Sequence, residues 1–243
     1  MSFAIAAWSA WSPGREDAAA WRTWAAHPEP LASEGQPDAR FLPPLLRRRC
    51  TPLSRIMLWA AFQCCPEPER AGVRSVFASR HGSINESIEL LENVVRGEKL
   101  SPTRFSHTVH NAQAGLFSIA AGNREASSSL SGGDESFGCA LLEALAHRQR
   151  DPERDVLLVM GDVPLAETFA PLVEETPSAY AVALRIGAPR PDASLRLRVE
   201  RLPAPAAPRP WPDAAEFLRF WLSGAPRLDL DAGTHRWSFE REG

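Results

Sequence analysis

Apolar residues at helical spacing alternate with short apolar or β-branched runs along most of the chain, which predicts an α/β fold. The helical spacing predicts helices over 16–26, 52–65, 83–96, 109–121 and 213–223, and a further helix that begins at Asp134. The short runs predict strands over 3–10, 73–78, 125–130, 155–160, 179–186, 195–202 and 237–240. We expect 73–78, 125–130 and 155–160 to be inner strands of a mixed sheet with helices on both faces.

Several elements carry more specific expectations. The run 155–160 is continuously apolar, as in a strand that is covered on both faces, and strands 179–186 and 195–202 are candidates for a hairpin. Prolines at 203, 205, 208, 210 and 212 predict an extended connector over 203–212 that leads to Asp213, a candidate N-cap. The last helix should end at Gly224. The helix from Asp134 should be buried through these apolar positions: Phe137, Gly138, Leu141, Leu142 and Leu145.

The turn Ser131-Gly132-Gly133-Asp134 joins the strand 125–130 to this helix. A turn of this kind presents the residue after the glycines at a helix N-terminus, where backbone N–H groups and the dipole favour a negative charge or a thiolate. Nucleophiles are often held there, but this chain has Asp134. An aspartate at a helix N-terminus accepts backbone hydrogen bonds without any catalytic role, and we favour that capping interpretation.

Composition restricts the function classes. At 243 residues we expect one domain over 1–243, and a net charge of −3 gives no electrostatic reason to expect nucleic acid or an anionic membrane as a partner. No window approaches the roughly 18 uninterrupted apolar residues of a membrane-spanning helix. Residues 1–11 lack the basic start of a signal peptide and are predicted to be a strand. We therefore expect a cytoplasmic protein.

The four cysteines have no paired spacing, so neither a metal nor a cofactor is expected.

Three segments resemble β-ketoacyl-ACP synthases, or ketosynthases. Residues that match their dimer-interface and nucleophile region are Ser101, Pro102, Phe105, Asn111, Ala114, Gly115, Gly122 and Arg124, followed by the strand and the turn. Residues 3–14 (FAIAAWSAWSPG) are similar to their opening strand, and residues 45–58 (LLRRRCTPLSRIML) to their Arg-rich segment. The resemblance implies a thiolase-like fold and places Asp134 where these enzymes carry the acyl-accepting cysteine.

The chain also departs from that family. A complete ketosynthase is much longer, with two similar halves, and the His-Gly-Thr-Gly-Thr and Asn-Ser-Phe-Gly segments of its second half do not occur here. The resemblance therefore implies a catalytically inactive partner, a chain length factor, of the short type in aryl polyene and xanthomonadin-type pathways. Many chain length factors have Gln where this chain has Asp134. The implied partner is a full-length β-ketoacyl-ACP synthase in a heterodimer, and acyl carrier protein would be met through that complex.

The resemblance also assigns residues to the pairing surface, which would be formed by the strand 125–130 and the segment 101–121. Thr103, Arg104 and Phe105 lie where the tunnel end of the neighbouring subunit is lined. The remaining candidates follow on the interface helix, and the apolar ones would form the centre of the interface: His107, Val109, His110, Asn111, Leu116, Phe117 and Ile119.

Two other functions remain open from the sequence. One is a stand-alone acyltransferase or hydrolase that uses Asp134 or Ser131 with His107 or His110. The other is a scaffold that only solubilises a synthase. The two histidines are three residues apart on one helical face, and no third ligand accompanies them, so interface or core histidines are a better interpretation than a metal site.

Overall fold

A single eight-stranded sheet runs through the chain, in the order β3-β2-β4-β5-β1-β6-β8-β7. The computed structural model describes residues 1–173, 176–191, 193–207, 209 and 211–242. The strands are β1 (Ser2–Trp11), β2 (Arg74–Ala78), β3 (Ser127–Leu130), β4 (Val156–Asp162), β5 (Tyr180–Gly187), β6 (Ser194–Arg201), β7 (Arg227–Ala232) and β8 (His235–Glu242). The helices are α1 (Ala18–Ala26), α2 (Pro44–Arg47), α3 (Pro52–Cys64), α4 (Ile84–Val95), α5 (Pro102–Phe105), α6 (Ala112–Ala121), α7 (Ser136–Arg150) and α8 (Asp213–Ser223).

The sheet is mixed and has a core on each face, as predicted. Strands β3, β2 and β4 are parallel, and the remaining neighbours are antiparallel. Helices α1, α7 and α8 pack on one face, whereas α3 and α6 pack on the other. Every residue of β4 is buried, because this strand has neighbours on both sides and helices on both faces.

The local expectations for the last two helices are largely confirmed. Helix α8 ends at Gly224, whose φ of +72° lies in the left-handed region that glycine tolerates best. In α7, Gly138 lies against the indole of Trp237, and a Cβ built at 138 would be 2.4 Å from that ring. Leu142 is an exception to the predicted buried set, because it is exposed on the outer side of α7.

The predicted hairpin between 179–186 and 195–202 is wrong, because β1 lies between β5 and β6 and pairs with both. The strand 125–130 was expected inside the sheet, but β3 is at its edge. Strand β7 was not predicted at all. Its alternate positions are charged, so its sequence, RLDLDA, lacks a continuous apolar run.

One further expectation is corrected. Asp213 is the first residue of α8 rather than its N-cap, and no side chain caps this helix. In α4, Leu91 and Val95 are exposed, whereas Leu90 is buried. Pro208 and Pro210 of the predicted connector lie outside the described residues. None of the helices in the described ranges is long and apolar enough to cross a membrane.

Candidate functional site

The elbow, which we define as residues 131–135, joins β3 to α7. Gly133 has a φ of +59°, a conformation in which a side chain would be strained. The Ser136 hydroxyl donates to the Gly133 carbonyl at 2.7 Å and accepts from the Gly132 amide at 3.0 Å. These bonds hold a 3₁₀ turn over Gly133–Glu135, so the α-helix begins at Ser136, two residues later than predicted.

Asp134 lies on the exposed side of the elbow and forms an ion pair with Arg80. Arg80 follows β2, and the parallel pairing of β2 with β3 brings the ends of both strands together. The Asp134 side chain is 57% exposed and caps neither the 3₁₀ turn nor α7, so the predicted capping role is wrong. The Asp134 carboxylate pairs with the guanidinium of Arg80 instead of accepting hydrogen bonds from backbone amides.

The carboxylate of Glu135 fixes the turn between β7 and β8. Its carboxylate accepts hydrogen bonds from the Thr234 amide at 2.9 Å and contacts His235 Nδ1 at 2.8 Å. Burial alone would raise the pKa of Glu135, but the bonds from Thr234 and His235 hold that pKa below its usual value. The β7–β8 turn is therefore attached to the elbow.

A cavity of about 430 Å³ opens beside the elbow, where β2 and β4 end. Its lining includes charged and polar residues, Arg80, Asp134, Tyr180, Arg209 and Asp213, and apolar residues, Phe137, Met160, Leu172 and Trp211. The carboxyl ends of parallel strands are a usual place for ligands in α/β folds. Two ion pairs line the cavity: Asp134 pairs with Arg80, and Asp213 lies 3.5 Å from the Nε atom of Arg209.

The carboxyl group of Asp213 has a raised pKa. This pKa is about 6, raised chiefly by burial and also by the charges of Asp134 and Glu216. The guanidinium of Arg209 opposes this increase. The four charged groups Arg80, Asp134, Asp213 and Arg209 thus influence one another across the cavity mouth.

Asp162 closes the floor of the cavity and has a structural role. It accepts hydrogen bonds from the Ser79 hydroxyl at 2.6 Å, the Tyr180 hydroxyl at 3.1 Å, and the amides of Arg80 and His81 at 3.2 and 3.1 Å. Burial raises the pKa of this carboxyl, whereas the bonds from Ser79 and the two amides lower it. The network fixes the segment that carries Arg80.

The structure does not bring the proposed hydrolase residues into hydrogen-bonding contact within its described ranges. The Ser131 hydroxyl donates to the carbonyl of Arg80 at 2.9 Å. His107 is buried and its Nε2 atom has no partner among the described residues; burial and the charge of Arg49 lower its pKa. His110 packs against Gly82, where an added Cβ would lie 2.9 Å from its Nδ1 atom. A nucleophile and a base in contact, which covalent catalysis needs, are therefore not formed by these residues.

The candidate interface residues separate into exposed and buried groups. Thr103, Arg104, Phe105 and Asn111 lie on the surface, and so do Val109 and Ile119. Phe105 is 62% exposed and Ile119 66%, which makes both available to a partner. Leu116 and Phe117 face the opposite way, into this chain's own core, where Phe117 is only 1% exposed. We therefore correct the predicted interface by removing these two residues from it.

The outer edge of β3 is open, because β2 is its single partner among the described strands. Helices α6 and α7 pack on opposite faces of β3, and each has an exposed apolar side chain, Ile119 on α6 and Leu142 on α7. An edge strand presents a row of unpaired N–H and C=O groups that can pair with another chain. The edge and these two exposed side chains are candidate parts of a pairing surface.

A Ser-His-Glu cluster lies beneath this edge. The Ser128 hydroxyl donates to Glu143 Oε1 at 2.8 Å and lies 3.0 Å from His147 Nε2. Glu143 contacts the same ring nitrogen at 3.0 Å. In a serine hydrolase the acid holds the other ring nitrogen, so that the first can accept the serine proton. The cluster is therefore a structural contact between β3 and α7 rather than a catalytic relay.

Sequence reasoning missed Arg80, Arg209 and the Ser128 cluster as parts of this region. Arg80 could have been found, because it directly follows a predicted strand whose parallel neighbour leads to the elbow. Arg209 could not have been found, since its contacts are with β7, a strand that the hydrophobic pattern does not predict. No group of three or more His, Cys, Asp or Glu side chains arranged to hold a metal ion occurs among the described residues.

Comparison with known proteins agrees with this geometry. The model of the β-ketoacyl synthase N-terminal domain family matches residues 21–240. In the solved structure of the ketosynthase ApeO in complex with its chain length factor ApeC, from Xenorhabdus doucetiae, a chain is 26% identical with a TM-score of 0.84. That alignment covers 99% of this chain and 100% of the other. A search of curated proteins gave no match.

Two more distant structures share the fold. One is the AntDE:AntF structure, a type II polyketide acyl carrier protein in complex with its ketosynthase, at 13% identity and a TM-score of 0.68 over 98% and 99% of the two chains. The other is a β-ketoacyl synthase from Burkholderia phymatum, at 12% identity and a TM-score of 0.61 over 82% and 64%. The predicted thiolase-like fold is confirmed. With a family model that matches nearly its whole length, the chain belongs to the β-ketoacyl synthase N-terminal domain family.

Proposed function

We propose that the chain is a non-condensing, chain length factor-like subunit that pairs with a full-length β-ketoacyl-ACP synthase and shapes its acyl tunnel. The observation that carries this proposal is the elbow, where Asp134 is paired with Arg80. The sequence resemblance aligns Asp134 with the acyl-accepting cysteine of ketosynthases. The open β3 edge beside it supports pairing with another chain. Further support is the alignment over 99% of this chain with a chain of the ApeO–ApeC complex, a ketosynthase with its chain length factor.

The elbow lacks the chemistry of condensation. Claisen condensation by the ketosynthase family uses a thiolate to hold the acyl chain and imidazoles to assist decarboxylation and stabilise the oxyanion. A carboxylate at residue 134 does not form the thioester intermediate. It would also disfavour a developing negative charge, since like charges repel.

An activity assay of the isolated chain tests this proposal. Incubation with acyl- and malonyl-carrier protein should give neither ketoacyl product nor a mass increase of the chain, measured by mass spectrometry. The Asp134→Cys variant should also fail to condense, because the two imidazoles are still not supplied. A ketoacyl product from either chain would contradict the proposal, and a covalent adduct on the wild type would favour the acyltransferase or hydrolase alternative.

We propose that the partner pairs along the open edge of β3 and covers Val109, Ile119 and Leu142, which are exposed in this chain. A stable interface of this kind buries well over ~1,000 Å² in total, with an apolar centre. Phe105, exposed on α5, would then be available to the tunnel of the synthase.

We further propose that residues 1–243 act as one domain, in the cytoplasm, and meet acyl carrier protein through the complex. The free thiols support the cytoplasmic location, because disulfides are rare in that compartment. Burial raises the pKa of Cys64 to about 12, so this thiol is unreactive in the folded chain.

A further inference from the structure

The sheet has two edge strands, and the groups that cover their outer sides differ. Strand β3 ends one side and β7 ends the other. A chain with two open sheet edges can bind a second chain at each end, which builds open-ended filaments rather than closed pairs. What lies on the β7 edge therefore decides how far assembly can proceed.

The pairing of β7 with β8 determines which groups of β7 point outward. The two strands are joined by a two-residue turn, in which Ala232 is opposite His235 and Leu230 opposite Trp237. In an antiparallel pair, alternate residues direct their backbone groups away from the partner strand. The alternate residues of β7, Asp229 and Asp231, thus present their amides and carbonyls at the free edge.

The guanidinium of Arg209 lies on this free edge. Its Nε atom donates to the carbonyl of Asp231 at 3.2 Å, and its Nη2 atom donates to the carbonyl of Asp229 at 3.3 Å. The carboxylate of Asp213, 3.5 Å away at the start of α8, holds the guanidinium in place. One side chain therefore occupies two successive acceptors that an incoming strand would need.

The segment before Arg209 covers the adjoining turn. The Leu202 amide donates to the carbonyl of Thr234 at 2.8 Å, and the Ala206 amide donates to that of Gly233 at 2.9 Å. Pro203 and Pro205 lie between these contacts and have no N–H group, so this segment cannot itself extend the ladder.

We propose that Arg209 caps the β7 edge, so that strand pairing between chains is confined to the β3 edge and assembly stops at a pair. Whichever chain binds at β3, the cap acts at the opposite end of the sheet. The β3 edge has no equivalent among its described residues, since its outer side carries no guanidinium or connector contact.

The test compares the full-length chain with its Arg209→Met variant by analytical ultracentrifugation over a wide concentration range. The wild type should not exceed two chains. The variant should grow with concentration, so that its weight-average mass rises roughly twofold or more above that of the wild type. Arg227→Met is the matched control, because Arg227 lies on β7 and its guanidinium bonds the side chains of Asp229, Glu240 and Ser238 rather than the outward carbonyls.

A second variant decides whether any growth occurs at this edge. Adding Asp229→Pro to Arg209→Met removes an outward N–H group and should restore the wild-type mass, with circular dichroism confirming the fold. The proposal is overturned if Arg209→Met keeps the wild-type mass, or if its growth or aggregation persists with Asp229→Pro. It is equally overturned if the wild type itself forms open-ended assemblies. A failure to bind a synthase would instead affect only the proposed function.

Discussion

The raised pKa of Asp213 leads to a stability prediction with a definite sign. Its side chain is only 13% exposed, and its pKa is about 6 against a usual value of 3.8. Between these values the folded chain keeps a proton that the unfolded chain has lost. The free energy of unfolding should therefore fall as the pH rises through this window, and level off above it. A shift of roughly two units, at about 1.4 kcal/mol per unit, corresponds to about 3 kcal/mol.

Denaturant unfolding of the wild type and of Asp213→Asn at several pH values measures this effect. The difference in unfolding free energy, wild type minus variant, should decrease by about 3 kcal/mol between about pH 4 and pH 6. Asp38→Asn is a control of sign, because hydrogen bonds from the amide and guanidinium of Arg40 lower the pKa of this exposed carboxyl. The unfolding free energy of the wild type minus that of Asp38→Asn should rise with pH. A flat or rising difference for Asp213 would refute the reasoning about its burial.

Three other substitutions have defined outcomes. Gly138→Ala should lower the free energy of unfolding by about 1–3 kcal/mol, because the added methyl group would overlap the Trp237 ring, whereas Gly115→Ala, in open space on α6, should not. Glu135→Gln should cost about 1–2 kcal/mol in the same unfolding assay, since a neutral amide accepts more weakly from the β7–β8 turn. With the synthase bound, Phe105→Ala should lengthen the products in a mass profile, because under the proposed function Phe105 limits the tunnel end.

Local pattern was sufficient where one strand or one helix end determines the outcome. The unbroken apolar run of β4 follows from its burial on both faces. The end of α8 at Gly224 follows from the conformational freedom of glycine. The turn at Gly132 and Gly133 was also placed correctly. The helix after it begins with a 3₁₀ turn over Gly133–Glu135, which the sequence pattern does not distinguish from an α-helix.

The local sequence pattern did not predict which distant segments pair with each other. The alternation in β5 and β6 says that each is a strand, but it carries no information that β1 inserts between them. The same limit explains the error about Asp134, whose partner Arg80 comes from the neighbouring strand end rather than from the helix it precedes. The error about Leu116 and Phe117 has the same cause, because helical spacing alone does not determine which face of α6 packs against the core.

Pairing with a full-length synthase tests the central claim most directly. The chain and the synthase should be co-expressed and analysed by size exclusion with light scattering, as wild type and as Ile119→Arg, which places a charge beside the β3 edge. Val199→Arg, at an exposed apolar position on β6, is the matched control. We predict a one-to-one complex for the wild type and for Val199→Arg, and loss of the complex for Ile119→Arg. A wild-type chain that elutes as a monodisperse monomer apart from the synthase would contradict the account.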